Sequence, residues 1–275
     1  MENLNFAILS ISSKKGGLTV NLKEKVSQQC LMKGTHVHLL DASITEMVSY
    51  LGYDFIWLDM EHTQVSCENA YHHILAAHLG GTPIIVRVPV DDLTVTKRIL
   101  EIGVDGIVFP MVKSYEHAKE LISWTLYPPF GQRGCGPKRA VRYGLDSEQQ
   151  FYEKGHLKMC RFIQIEQKSA ALQADQIAQI PYLDGCILGM HDLSGSIHQL
   201  GNIFCKENMS LARATVSMFK KYKKSVGVST CAIDEKTLLL YHEMGINMIA
   251  TGADYSYILE GAKNTLKTIT KVQST

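Results

Sequence analysis

Residues 54–62 read Asp54-Phe55-Ile56-Trp57-Leu58-Asp59-Met60-Glu61-His62, an apolar run that stops on two acids and a histidine. A strand covered by helices on both faces reads as such an uninterrupted run, which is the mark of a parallel sheet. Three further stretches repeat the pattern. Pro83-Ile84-Ile85-Val86 ends on Arg87, Arg161-Phe162-Ile163-Gln164-Ile165 ends on Glu166, and Gly185-Cys186-Ile187-Leu188-Gly189-Met190-His191 ends on Asp192. An acid, base or guanidinium just past the last apolar residue stands in the loop at the strand's carboxyl end, where α/β folds bind ligands. Four such ends with complementary chemistries point to one assembled site.

Outward from these runs the chain alternates strands with helical spacing. Strands are predicted over 36–40, 54–59, 84–88, 106–109, 160–166, 185–188, 225–229 and 247–251, and helices over 68–79, 93–101, 115–125, 170–179, 211–224, 235–243 and 255–268. Gly103 and Gly245 stand where helix C-caps are expected. Eight strands, each followed by a helical segment, predict a closed TIM (β/α)8 barrel rather than an open sheet. The expected organisation is an N-terminal extension over residues 1–22 and a single barrel domain over 23–270. Residues 126–158 form a long insertion after the fourth helix, and loops of that length tend to be functional, often as lids. Residues 189–209 form a second extended loop, after strand six.

At 275 residues, 45% apolar and 20% charged, the chain has the size and composition of one large globular domain. A net charge of +1 gives no reason to expect nucleic acid or an anionic membrane as partner. No apolar stretch approaches the roughly 18 residues of a membrane span, and no secretory signal is expected at the N-terminus. Seven scattered cysteines without a CxxC fit reduced thiols better than a disulfide framework. The expected compartment is the cytoplasm.

Glu166 and Asp192 follow neighbouring strands, so two carboxylates face the same mouth. Either alone could be a helix cap; together they suit a hard divalent cation such as Mg²⁺, Mn²⁺ or Co²⁺. Arg87 suits a carboxylate or a developing enolate oxygen, or an ion pair with Asp59 or Glu61, and the two roles are compatible. His62, beyond Asp59, is a candidate general base or a solvated loop histidine. The turn from Gly189 through Met190 and His191 exposes backbone N–H groups to an anion. No predicted strand carries a central lysine, and Lys113 is the nearest candidate for a Schiff base, so metal-stabilised carbanion chemistry is favoured over imine chemistry. A competing signal is His36-Val37-His38, which on a first strand suggests an amidohydrolase-like metal hydrolase; two strand histidines making hydrogen bonds is the plainer reading.

These motifs, taken with Gly106-Ile107-Val108-Phe109-Pro110-Met111-Val112 and Tyr127-Pro128-Pro129 followed by Gly131-Gln132-Arg133-Gly134, resemble in order those of the class II pyruvate aldolases, the hydroxyheptanedioate and dehydro-deoxy-glucarate aldolase family of the phosphoenolpyruvate/pyruvate superfamily. The resemblance runs from about residue 34 to 262. It implies a TIM barrel whose C-terminal helix is exchanged between subunits of a homohexamer, a trimer of dimers. It implies a lyase that cleaves or forms a C–C bond of a 4-hydroxy-2-oxo acid through a pyruvate enolate, with an aldehyde as second substrate. Glu166 and Asp192 would hold the metal, Arg87 would stabilise the enolate oxygen, and His62 would be the base. Gln164 would lie beside pyruvate, and the backbone at Gly189, Met190 and His191 would hold its carboxylate. The acid that partners the histidine falls at Glu101, one methylene longer than the common Asp. The family's proline and small residue after Gly189 are here Met190 and His191. An oxaloacetate-type decarboxylase or a citrate-type synthase on the same barrel is the alternative, and a catalytically silent barrel a minor one. Acceptor contacts are expected from loops such as 126–144 and from a neighbouring subunit.

Overall fold

The structure, a computed structural model, describes residues 21–273, so all but the last two residues of the expected N-terminal extension lie outside the described residues. Eight parallel strands close into a barrel in sequence order: β1 (Met32–Val37), β2 (Phe55–Asp59), β3 (Ile84–Arg87), β4 (Gly106–Phe109), β5 (Cys160–Ile165), β6 (Gly185–Leu188), β7 (Ser225–Thr230) and β8 (Met248–Ala253). Side chains alternate in and out along each strand. The lumen is filled by Met32, Phe55, Trp57, Ile85, Val108, Cys160, Phe162, Ile187, Met248 and Ala250, whereas the outward residues pack under the helices as the larger core.

The first strand lies earlier than expected. It starts at Met32, because Gly34 pairs with Phe55 and Met32 with Met248, although Lys33 and Gly34 interrupt the apolar run. Lys33, now within a strand, is exposed and outside the lumen. His36 is in β1 and His38 just past its end. Register with β8 shifts between Gly34 and His36. Gly252 sits at that irregularity with φ +71°, a conformation L side chains rarely adopt.

The helices α1 (Leu22–Ser27), α2 (Ala42–Ser49), α3 (Cys67–Gly80), α4 (Leu93–Ile102) and α5 (Tyr115–Ser123) come first in the chain. Asp41, Ser66, Asp92 and Ser114 cap α2 to α5, each accepting a first-turn N–H, which is why these helices start directly beyond the mouth loops. Gly103 C-caps α4 in the left-handed region, as expected. Helix α1 closes the N-terminal end of the barrel. Leu22 and Val26 join the lumen cluster, and Lys23 pairs with Asp184 and Lys25 with Asp54.

The insertion 126–158, expected as a lid with acceptor contacts, lies on the opposite face. It follows α5, which carries the chain back to the N-terminal ends of the strands. Arg133 donates to Glu101 at the end of α4, Arg139 to the Ile102 carbonyl, and buried Arg161 to the Thr125 hydroxyl and the His156 and Met159 carbonyls. Within it are α6 (Glu148–Glu153) and two short 3-10 segments. The helix expected over 170–179 is two short ones, α7 (Lys168–Ala171) and α8 (Ala174–Ile177). After β6 come α9 (Met190–Gly195) and α10 (Lys206–Lys221), then α11 (Glu235–Glu243) and α12 (Asp254–Gln273). Beyond Asp254, α12 is exposed along its whole described length. No described helix is long and apolar enough to cross a membrane.

Candidate active site

The mouth is built by strand ends β2, β3 and β5 in one connected network. Arg87, the last residue of β3, donates from Nε to Asp59 Oδ1 at 2.8 Å and from an amino group to Asp59 Oδ2 at 2.6 Å. Its other amino group is 3.0 Å from Glu61 Oε2 and 3.5 Å from Gln164 Oε1. Parallel pairing of Asp59 with Arg87 sets the two side by side, and the guanidinium rests over the Trp57 ring at 5.7 Å. Burial opposes ionisation of Asp59, yet the Arg87 hydrogen bonds and charge hold its carboxyl below the usual range.

Gln164 continues the chain of contacts by donating from Nε2 to Glu166 Oε2 at 2.6 Å. The second Glu166 oxygen accepts the Met111 N–H at 2.6 Å. Met111 holds a positive φ of 52°, a strained conformation for a residue with a side chain, and one that is enriched at functional sites. A Cβ on Gly189 would overlap Glu166 Oε2, so the strand-six loop approaches this carboxylate as only glycine allows. Burial, reinforced by the charges of Glu61 and Asp192, pushes Glu166 up to about 7 against the pull of the Met111 N–H. Burial likewise raises Glu61.

Asp192 lies exposed in α9, close enough for its charge to act on both Glu166 and Glu61. Met190 is buried and its carbonyl accepts from Asn208; His191 is exposed beside Asp192. Among the described residues no three His, Cys, Asp or Glu side chains converge as a ready metal cage. Two carboxylates, one of them buried beside further negative charge, make a donor set that fits a hard divalent cation completed by water or substrate oxygens.

The other expected residues stand apart. His62 is 66% exposed in the β2 loop, with Nε2 3.7 Å from Glu61 Oε2. Glu101 is not brought to the mouth of its own chain; it lies at the far end of α4 with Arg133. Lys113 is 62% exposed and paired with Asp91. The hydrolase-like reading of His36 and His38 is corrected: His36 spends one ring nitrogen on the Gly252 carbonyl and the other on the Ser229 hydroxyl, both at 2.8 Å, leaving none for a metal. Sequence reading had Asp59 and Glu61 only as possible partners of Arg87 and missed the Met111 N–H, which no side-chain pattern announces.

A parallel barrel with carboxylates, an arginine and a glutamine gathered at the carboxyl ends of its strands has the layout of an α/β-barrel active site. Residues 33–260 match the family described as HpcH/HpaI aldolase/citrate lyase, and the chain belongs to this aldolase and lyase family. It is 29% identical over 234 residues to a 2-keto-3-deoxy-L-rhamnonate aldolase of Salmonella paratyphi A, covering 84% of this chain and 86% of that one. It is 28% identical over 234 residues, with the same coverage, to the protein of that name from Salmonella schwarzengrund. Among solved structures it is similar to a HpcH/HpaI family protein from Burkholderia cenocepacia, with TM-score 0.84 and 24% identity over 90% of this chain and 98% of that one. The citrate synthase SbnG shares the fold, with TM-score 0.81 and 22% identity over 93% and 99%.

Proposed function

We propose that the chain is a divalent-metal-dependent aldolase that cleaves, or forms, the C3–C4 bond of a 4-hydroxy-2-oxo acid, releasing or consuming pyruvate and an aldehyde. The observation that carries this is the unbroken network Asp59–Arg87–Gln164–Glu166 with Asp192 beside it, which sets carboxylates suited to a cation beside a fixed guanidinium at one mouth. Glu166 and Asp192 would hold Mg²⁺, Mn²⁺ or Co²⁺. Such an ion acts as a Lewis acid toward a 2-oxo acid.

Arg87 presents donors to the oxygen on which negative charge develops as the C3–C4 bond breaks, and Asp59 fixes it there in advance. Gln164 orients Glu166 and borders the pyruvate half. The Gly189, Met190 and His191 backbone borders the pyruvate carboxylate, with Met190 supplying an N–H where the family has proline. His62 takes the proton of the C4 hydroxyl, and its exposed place implies transfer through water; the electron pair of the broken bond stays with the pyruvate carbons and is quenched by a proton at C3. Oxaloacetate decarboxylation and citrate-type condensation are not favoured, because the named curated relatives are aldolases.

The family's exchanged last helix is supported by α12. Tyr255, Leu259, Ala262, Leu266 and Ile269 alternate spacings of four and three residues, which places them on one stripe, and all are exposed in the single chain. A second subunit covering that stripe fits a homo-oligomer, a hexamer built as a trimer of dimers.

The test is deuterium incorporation into the methyl group of pyruvate in D₂O. Protein stripped with a chelator should lose exchange and regain it with Mn²⁺ or Mg²⁺. Exchange indifferent to chelation would contradict the proposal.

A further inference from the structure

One Glu166 oxygen rests on a backbone donor held in an unfavourable conformation. The Met111 N–H reaches Oε1 at 2.6 Å while Met111 keeps φ at +52°. A residue with a side chain stays there only where its surroundings over-determine it. The segment that follows Met111 is tied down on two sides. Toward β5, the Ser169 hydroxyl donates to the Lys113 carbonyl at 2.7 Å, and Gln167 Nε2 lies 3.7 Å from Met111 Sδ. Toward β3, the Lys113 N–H donates to His117 Nδ1 at 3.3 Å, and His117 Nε2 is 2.7 Å from Asp91 Oδ1. Asp91, in the loop after β3, itself holds φ at +54°.

These bonds fix the tautomer. A ring nitrogen that accepts an N–H carries no hydrogen, so Nδ1 is bare and Nε2 bears the proton it donates to Asp91. The other tie between the loops is the ion pair of Lys113 Nζ with Asp91 Oδ2 at 3.2 Å; with side chains 62% and 41% exposed, it contributes little. The His117 side chain is 16% exposed, and its short bond to Asp91 is the better-shielded arm. The start of α5 does not itself require this ring. Ser114 caps the helix, and its hydroxyl already takes the His117 backbone N–H.

We infer that His117 is a positioning residue for the Glu166 carboxylate: oriented by Asp91, its Nδ1 holds the Lys113 N–H and so keeps Met111 in the conformation that aims its N–H at Glu166. It touches neither metal nor substrate. The inference rests on the reading of Glu166 as a metal ligand, and it adds a control on that ligand from the first turn of α5. A ligating carboxylate binds best when its own outer hydrogen bonds hold it in place beforehand.

Calorimetric titration of the full chain with Mn²⁺ alone tests this, using two substitutions that each keep half of the ring. His117→Asn puts an amide oxygen where Nδ1 stands and keeps the Lys113 bond. His117→Gln puts an amide nitrogen where Nε2 stands and keeps the Asp91 bond. Disturbing the groups that orient a metal ligand weakens binding about ten- to a hundredfold, so His117→Gln should bind Mn²⁺ at least about tenfold more weakly than wild type, and His117→Asn within about threefold of it. Urea midpoints measured alongside separate this from folding: a merely structural histidine would shift the midpoints and leave the affinities alone. Pyruvate exchange at saturating Mn²⁺ should rank the proteins in the same order. Equal affinities in the two variants, or weaker binding by His117→Asn than by His117→Gln, would overturn the assignment, as would failure of both to fold. A wild type that binds no Mn²⁺ sinks the metal reading and this inference with it, whereas wild-type binding with an unaffected His117→Gln sinks only the role of His117.

Discussion

Asp59→Asn probes how the mouth is held together. Asp59 is 1% exposed and accepts two hydrogen bonds from Arg87, at 2.8 and 2.6 Å. Asparagine keeps one acceptor but turns an NH₂ group toward the guanidinium and removes the charge. Breaking a buried ion pair at one partner costs about 3–5 kcal/mol. Glu61, 3.0 Å from the other side of Arg87, remains to balance part of the charge, so the expected loss falls at or just below that range, about 2–3 kcal/mol. With Asp59 gone, Arg87 should lean toward Glu61 and leave its place beside Gln164. Removing a preorganised donor of this kind slows the reaction about a hundredfold or more. Urea unfolding, followed by the fluorescence of Trp57 beneath the guanidinium, reads the first effect; pyruvate deuterium exchange at saturating Mn²⁺ reads the second. Exchange within about threefold of wild type, despite lost stability, would refute the placing of Arg87 by Asp59.

Burial lowers His36 from 6.5 to about 4. It stays neutral in the folded chain while the unfolded chain takes up a proton, so its stabilising contribution is whole above pH 6.5 and is lost as pH falls toward 4. That loss is up to about 3 kcal/mol. His36→Gln should flatten this part of the pH dependence of the urea midpoint, and identical slopes in both proteins would contradict it. Borohydride with pyruvate should leave the enzyme active; covalent trapping at Lys113 would reverse the choice of metal over imine chemistry. Leu266→Asp, on the exposed stripe of α12, should lower the molecular mass measured by light scattering, whereas an unchanged oligomer would remove α12 from the subunit contacts.

The strands were legible wherever an apolar run was long and bounded, as at Gly106–Phe109 and Gly185–Leu188, both of which match their expected limits. The first strand was misplaced because Lys33 and Gly34 break the run, and its position is fixed instead by pairing with β2 and β8. Arg87 and Glu166 were legible as strand ends, and Gln164 only through the family resemblance. Their connection was not, since Gln164 reaches both partners only through the barrel's register. Glu101 lies in the last turn of α4 and the 126–158 insertion follows α5, and the direction of the chain there carries both to the other face. Met111 was invisible because its contribution is a backbone N–H.

The central claim is that Glu166 is a ligand to the divalent ion on which pyruvate activation depends. Calorimetric titration of wild type and Glu166→Gln with Mn²⁺ tests it most directly, with pyruvate exchange measured on the same samples. Glutamine should preserve the fold and the contact with Met111 N–H, weaken Mn²⁺ binding by about a hundredfold or more, and abolish exchange. Wild-type Mn²⁺ affinity together with wild-type exchange in Glu166→Gln would contradict the account.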